Sequence, residues 1–291
     1  MVHGKPHHSP SVSQRWKARG CPWGFTLVEL LVVVGIIAVL AAVSFSAYGM
    51  AIKQARKAQE IAAAHNLAAA YVSAVDGNGV YLAGYDRTVN SLPGPGGVTL
   101  SGPAAQRYPW RLGQYTGGDV VSSVMVGDVA HQINTTDTYM VSCYPAFGMN
   151  YIFVGGDVQS DGSRTYPGEC ITRMANSAPV LVFASACGQG DPTGGNATGT
   201  TIHGYCILTP PNLTGPMWSS GSWTPNSNPS DFGNVDFRYN GKAVCAFLDG
   251  SVQMLGPDQL RDMRYWCRGA VQSGNANYTV TDTSQRGSRQ N

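Results

Sequence analysis

The sequence predicts an α+β chain: a long N-terminal helix of transmembrane length, packed on an antiparallel β-sheet head domain with long loops. Three observations carry that expectation. The stretch from Phe25 to Ile52 holds one charged residue, Glu29, and its uncharged part from Leu30 to Ile52 is 23 residues long. Residues 53–75, KQARKAQEIAAAHNLAAAYVSAV, continue it with good helix formers. After residue 80 the pattern changes to short Val, Ile, Tyr and Phe runs divided by Gly, Pro, Asn and Asp, which reads as antiparallel strands and turns. Composition agrees, because 12% charged residues with 36 Gly and 17 Pro exclude both a coiled-coil rod and a charged disordered chain. The formal charge of +2 offers no bulk attraction to nucleic acid, so none is expected as a partner.

Residues 1–24 carry Lys5, Arg15, Lys17 and Arg19 and no acid, directly ahead of the apolar run. Positive charge on that flank marks the cytoplasmic side of a membrane segment. At 1.5 Å per residue, about 20 helical residues span the ~30 Å hydrocarbon core, so the segment is long enough to cross. A secretory signal has a shorter apolar core, roughly 7–15 residues, with the cleavage site behind it. Here the break precedes the apolar run. Glu29 is the anomaly: an acid in a membrane helix costs roughly 2.5–3.5 kcal/mol near the centre and calls for a cationic partner. The plainer alternative places it at headgroup depth in the first helical turn, where it suits the helix dipole.

Gly24-Phe25-Thr26-Leu27-Val28-Glu29, followed by Leu30, Leu31 and a Val/Ile/Ala run, resembles the signature of type IV pilins and type II secretion pseudopilins. The resemblance implies that a prepilin peptidase cuts after Gly24, releasing a leader of residues 1–24, and N-methylates Phe25. It also implies that Glu29 sets register by meeting the N-terminal amine of a neighbouring subunit in a filament. The expected partners are therefore that peptidase, other pilin-like subunits, an inner-membrane assembly platform and the membrane. The expected location is the inner membrane, with a single pass, a cytoplasmic leader and a periplasmic head, followed by a periplasmic or surface filament. Trp23 stands where a basic residue is frequent in such proteins, and no Pro lies between Pro22 and Pro93.

Beyond the membrane-length segment (25–52), residues 53–76 should pack on the head. Ile61, Ala64, Ala68, Val72 and Val75 follow 3- and 4-residue spacing, widened by Leu67 and Tyr71. Asp76-Gly77-Asn78-Gly79 stops the helix, and His65 falls at a partly exposed position. The head is assigned to 77–271, with strands expected at 120–126, 138–143, 151–154, 180–185, 205–209, 243–248 and 251–255. The last two read as a hairpin closed by Asp249-Gly250 as the positive-φ pair of a type I′ turn. The Gly-rich run 189–201 reads as a hairpin tip, 210–234 as a long loop, and 272–291 as a flexible tail.

A second, looser likeness is to a branch of bacterial pseudopilin-like proteins whose C-terminal signature is a His, nine residues, then Asp-Gly. Here Tyr239 stands in the His position, with nine residues between it and Asp249-Gly250; Tyr108-Pro109-Trp110-Arg111-Leu112, Phe147-Gly148-Met149-Asn150 and Gly155-Gly156-Asp157 are similar to recurring segments of that branch.

The sequence lacks the strong phosphate-loop, zinc-protease and hydrolase motifs, and His131 with Asp137 makes no more than an accidental triad, so no enzyme activity and no resident cofactor are expected. Calcium is the one ion considered, since the resemblance raises a C-terminal loop site; Asp231, Asn234 and Asp236 are the only nominated cluster, with solvated turn residues as the alternative. Seven cysteines are present. Cys21 lies in the leader, leaving Cys143, Cys170, Cys187, Cys206, Cys245 and Cys267 for a compartment that permits disulfides. Cys187 with Cys206 is the pairing expected, because the two flank the 189–201 run. Trp218 and Trp223 offer either a contact surface or packing onto the sheet. The alternative function is a membrane-tethered minor subunit or binding module using residues 210–234 to hold a secreted protein, DNA or polysaccharide. Cleavage after residue 24 would remove four of the 19 basic side chains and none of the 17 acids, leaving 15 against 17, or −2.

Overall fold

The computed structural model describes residues 24–116, 119–176, 178–192 and 199–281. The leader up to residue 23, residues 193–198 of the 189–201 tip and the last ten residues of the expected tail lie outside the described residues. The chain is mixed α+β and divides into two units, 1–51 and 52–291.

One helix, α1 (Leu27–Ser73, 47 residues), runs through the division between the units. Thr26 and Glu29 start it with a capping box. The Glu29 carboxylate accepts from the Thr26 N–H (2.9 Å) and hydroxyl (2.8 Å), while the Glu29 N–H donates to Thr26 Oγ1 (3.2 Å). Asp76 ends the region as expected: its Oδ1 accepts from the N–H groups of Asn78 (2.8 Å) and Val80 (2.9 Å), and Gly79 turns the chain at φ 74°.

In the first unit every large apolar side chain from Leu27 to Val43 is exposed, the least being Val33 at 45%. The helix is long and apolar enough to span a membrane.

In the second unit the remainder of α1 is an element of the core. Ala64, Leu67, Ala68 and Tyr71 are essentially fully buried, whereas Ile61, Val72 and Val75 are only partly so. The buried stripe is thus centred on Ala64, Leu67 and Tyr71, rotated from the expected one, and it includes Glu60 at 0% exposure. The Tyr71 ring meets Phe183 edge-on at 5.7 Å and stacks on Tyr81 at 5.6 Å, and its hydroxyl donates to the Leu82 carbonyl (2.8 Å).

The helix packs over a four-stranded antiparallel sheet of β1 (Phe147–Met149), β2 (Leu181–Ser185), β3 (Ala243–Phe247) and β4 (Val252–Leu255), in the order β4-β3-β2-β1. Cross-strand partners include Phe147 with Ser185, Ala184 with Cys245, and Val252 with Ala246. Both central strands are buried throughout, since the sheet has a core on each face. One core joins Phe183, Val244 and Ala246 to α1 and to the short helices of residues 103–143. The other joins Leu181, Ala243 and Phe247 to Trp218, Phe232 and Trp266.

Strand expectations hold for 180–185, 243–248 and 251–255 and fail elsewhere. Val120–Val124 and Thr138–Cys143 are helical turns. Each follows an aspartate: Asp119 accepts from the Ser122 N–H, and Asp137 from those of Tyr139 and Met140. These local caps outweigh the strand preference of the Val, Thr and Tyr residues they precede. Residues 151–154 are a turn, organised by buried Asn150, whose amide donates to the carbonyls of Leu181 and Trp266 at 2.9 Å each. The 205–209 run supplies one bridge, Ile207 to Met149.

The β3–β4 hairpin forms, but its turn differs from the type I′ expectation. Phe247 N–H donates to Ser251 O and Gly250 N–H to Phe247 O, so three residues make the loop, and of Asp249 and Gly250 only Gly250 has positive φ (82°). That is the three-residue hairpin ending on a left-handed residue. Of the expected tail, residues 272–281 are mostly exposed but tied to the head: the Tyr278 hydroxyl donates to Glu169 (2.6 Å), and the N–H of buried Val280 donates to Leu213 O (2.9 Å).

Candidate functional site

The N-terminal features lie together. Gly24 and Phe25 precede α1 in irregular backbone, Phe25 is 77% exposed, and among the described residues, which begin at Gly24, nothing stands within 4 Å of where a Cβ on Gly24 would lie. Glu29 is exposed one turn in, its carboxylate engaged by Thr26. The same acid that would receive a neighbour's amine thus caps its own helix in the isolated chain.

Sequence reasoning missed a second cluster, centred on Glu60. Its carboxylate accepts from the Ser185 hydroxyl of β2 (2.5 Å) and the Tyr239 hydroxyl (2.5 Å). Arg238 Nη1 lies 3.6 Å away, and Arg238 Nε stands 3.0 Å from Asp236. These are ion pairs rather than aligned hydrogen bonds; the aligned bond runs from Arg238 Nη2 to the Ala186 carbonyl (2.7 Å). Asp236 also meets His203 Nδ1 at 2.6 Å. A chain of alternating charge therefore joins α1 through Glu60, Arg238 and Asp236 to a partly exposed histidine. Its sequence signal is a lone acid four residues ahead of Ala64, on the stripe that otherwise holds Leu67 and Tyr71.

Electrostatics fix the charge states. Burial disfavours the Asp236 carboxylate, but Arg238 and His203 outweigh burial and hold its pKa below the ordinary 3.8. Burial also opposes charge on Arg238, and Asp236 with Glu60 more than offset it, pushing the guanidinium up. Burial and then the Glu60 charge push the Tyr239 phenol well up, so it stays a donor. The stability from Asp236 is present above the unfolded value and lost as pH falls through the lower folded one. The head should therefore lose stability on acidification below about pH 4, and Asp236→Asn should flatten that limb of Tm against pH. Asp262, held low by its hydrogen bond from Arg264, shifts the same way, so part of the slope remains. An unchanged acid limb in the variant would contradict this role.

The other nominated residues take structural places. Tyr239, standing where the similar branch has His, holds Glu60. Of the three calcium candidates, Asp231 is exposed, the Asn234 amide donates to Cys187 O (3.0 Å), and Asp236 is engaged by Arg238 and His203. Among the described residues no group of three or more His, Cys, Asp or Glu could hold a metal ion. His131 is exposed, while Asp137 caps the helix after it. Trp218 is 5% exposed, edge-on to Phe232 and Trp266, and Trp223 packs on Phe237. Trp218 is thus used for internal packing, while Trp223 packs against the same core and stays partly exposed.

The six described cysteines are thiols. The expected Cys187–Cys206 link is not formed: the Cys187 thiol points to Val235 O (3.8 Å), and the backbone of Cys206 pairs with Cys143 instead. Strand pairing closes the Gly-rich loop, with Gly188 opposite Ile202 and Gly190 opposite Thr200. Comparison of the chain with protein-family models, curated proteins and solved structures returns no match.

Proposed function

We propose that the chain is a pilin-like structural subunit of a type II secretion pseudopilus or a type IV pilus-like filament. In this reading a prepilin peptidase cuts after Gly24 and N-methylates Phe25. One observation carries it: the Gly24–Phe25 bond lies directly ahead of an exposed apolar helix that has an acid in its first turn and whose later turns are part of a folded head's core.

A helix apolar on all sides and exposed on all sides needs a non-aqueous surrounding. A bilayer supplies it before assembly, and identical helices supply it in a filament. Burying a Leu, Ile, Val or Phe side chain is worth about 1.5–3 kcal/mol each, so the stretch from Leu27 to Val43 has ample driving force for association. Glu29 then sets the axial position, because among such helices an unpaired carboxylate is far costlier than one meeting an amine. The Thr26 hydroxyl and N–H hold the carboxylate until the amine arrives. The secretion or pilus system places the head on the far side of the inner membrane, the positive leader remaining in the cytoplasm.

Glu29→Ala should leave membrane insertion intact and reduce incorporation into filaments. Removing the acid loosens only the first turn, a small effect beside the apolar drive for insertion. Co-purification of tagged and untagged subunits checks this; undiminished incorporation of the variant would refute the register role.

A further inference from the structure

We propose that Cys143 and Cys206 form a disulfide when the head folds outside the cytoplasm, closing residues 143–206 into a covalent loop that contains β1 and β2. The Cys206 N–H donates to the Cys143 carbonyl at 3.0 Å, flanked by Tyr205 N–H on Pro145 O at 2.8 Å and Met149 N–H on Cys206 O at 3.1 Å. The two backbones touch at Gly204, where a Cβ would meet Tyr144 O at 2.4 Å. Cys143 ends a helical turn and the bridge next to Cys206, Ile207 with Met149, is parallel, so it is the single bond that sets the spacing: the path from Cα through C=O···H–N to Cα keeps the two Cα atoms within about 7 Å, the reach of a disulfide.

The local chemistry favours this pair. Arg107 donates from Nη1 to Ser142 Oγ (3.1 Å), beside Cys143, and its guanidinium lies 4.9 Å from the Tyr139 ring centre. Its charge favours the thiolate of both cysteines, against burial, which pushes Cys206 up to about 12. Cys143 is only partly buried, so it is the sulfur an oxidant reaches first.

The other four thiols are placed differently. Cys187 lies beside Asp236, which adds to burial in suppressing its thiolate. Cys245 is fully buried within β3. Cys170 neighbours Cys267, but the Cys267 thiol donates to Glu169 Oε2 at 3.2 Å.

The oxidant is a donor disulfide, that of a dithiol–disulfide oxidoreductase in cells or of oxidised glutathione in vitro. The Cys143 thiolate attacks one donor sulfur and expels a donor thiolate. Cys206, losing its proton, then attacks Cys143 Sγ and expels the second. Two protein thiols lose two electrons and two protons, and one donor disulfide becomes two thiols.

Formation in cells rests on the exported-head reading, whereas the pairing itself does not. The test is refolding of the purified, reduced full-length chain in detergent with oxidised and reduced glutathione, then alkylation and non-reducing peptide mapping. Cleavage before Asp191 separates Cys187 from Cys206. The expected result is a Cys143–Cys206 peptide as the main product carrying either residue, lost in Cys143→Ser, with Cys206 then alkylated. Linkage of Cys206 to Cys187, or both thiols free in the wild-type chain, would overturn the pairing. The same mapping on cells alkylated before lysis separates the two ideas: a link in vitro with free thiols in cells keeps the pairing and removes the exported-head reading.

Discussion

Replacing Arg238 with Ala should lower the stability of the head by about 3–5 kcal/mol, the usual cost of removing one member of a buried ion pair. Arg238 is 6% exposed and lies between Asp236 and Glu60, the latter fully buried. Its loss leaves two carboxylates facing each other out of water and the Ala186 carbonyl without its donor. With about 2–4 °C per kcal/mol for a domain of this size, the melting temperature should fall by roughly 6–20 °C. Glu60→Gln should cost less, because the amide oxygen still accepts from one of the two hydroxyls, the amide NH2 can donate to the other once it rotates, and one of the two acids disappears. A buried pair replaced as a whole by apolar groups of similar size is often tolerated, so Glu60→Leu combined with Arg238→Met should recover much of the loss. Thermal unfolding of the three variants checks the set. A drop of less than about 2 °C in Arg238→Ala would show that the guanidinium does not hold the two acids. Hydrogen exchange over residues 60–73 locates the effect: loosening there would show that the cluster fastens α1 to β2.

Gly24→Ala should abolish processing, leaving the 24-residue leader attached to essentially every molecule. The test is clean, since among the described residues a Cβ at Gly24 meets no atom within 4 Å and α1 begins only at Leu27. Folding and insertion should therefore be unchanged, and any retained leader reports recognition by the peptidase alone. Immunoblotting resolves the two forms by size. Cleavage at the wild-type rate in the variant would contradict a glycine-specific peptidase.

Much of the architecture was legible in the sequence because it depends on one-dimensional patterns. The length and hydropathy of residues 25–52, the stop at Asp76-Gly77-Asn78-Gly79 and the β3–β4 hairpin each leave a local mark. The short helices did not, because Asp119 and Asp137 exert their effect through one or two cap bonds that Val- and Tyr-rich runs conceal. Three-dimensional pairing was harder still. Glu60 reads as one more helix-surface acid until Ser185, 125 residues later, and Tyr239, 179 residues later, are brought onto it. The cysteine expectation failed for the same reason: flanking a loop made Cys187 and Cys206 look like its staple, yet strand pairing already closes that loop and Cys206 lies on the backbone of Cys143. The N-terminal features were legible because Gly24, Phe25 and Glu29 lie within six residues and need no tertiary contact to assemble.

Intact-mass and N-terminal peptide spectrometry of the mature protein from its own cells tests the central claim most directly. A pilin-like subunit should begin at Phe25 and carry one additional methyl group on its amine. A chain that retains Met1, or begins at Ala47 behind the apolar run, would contradict it.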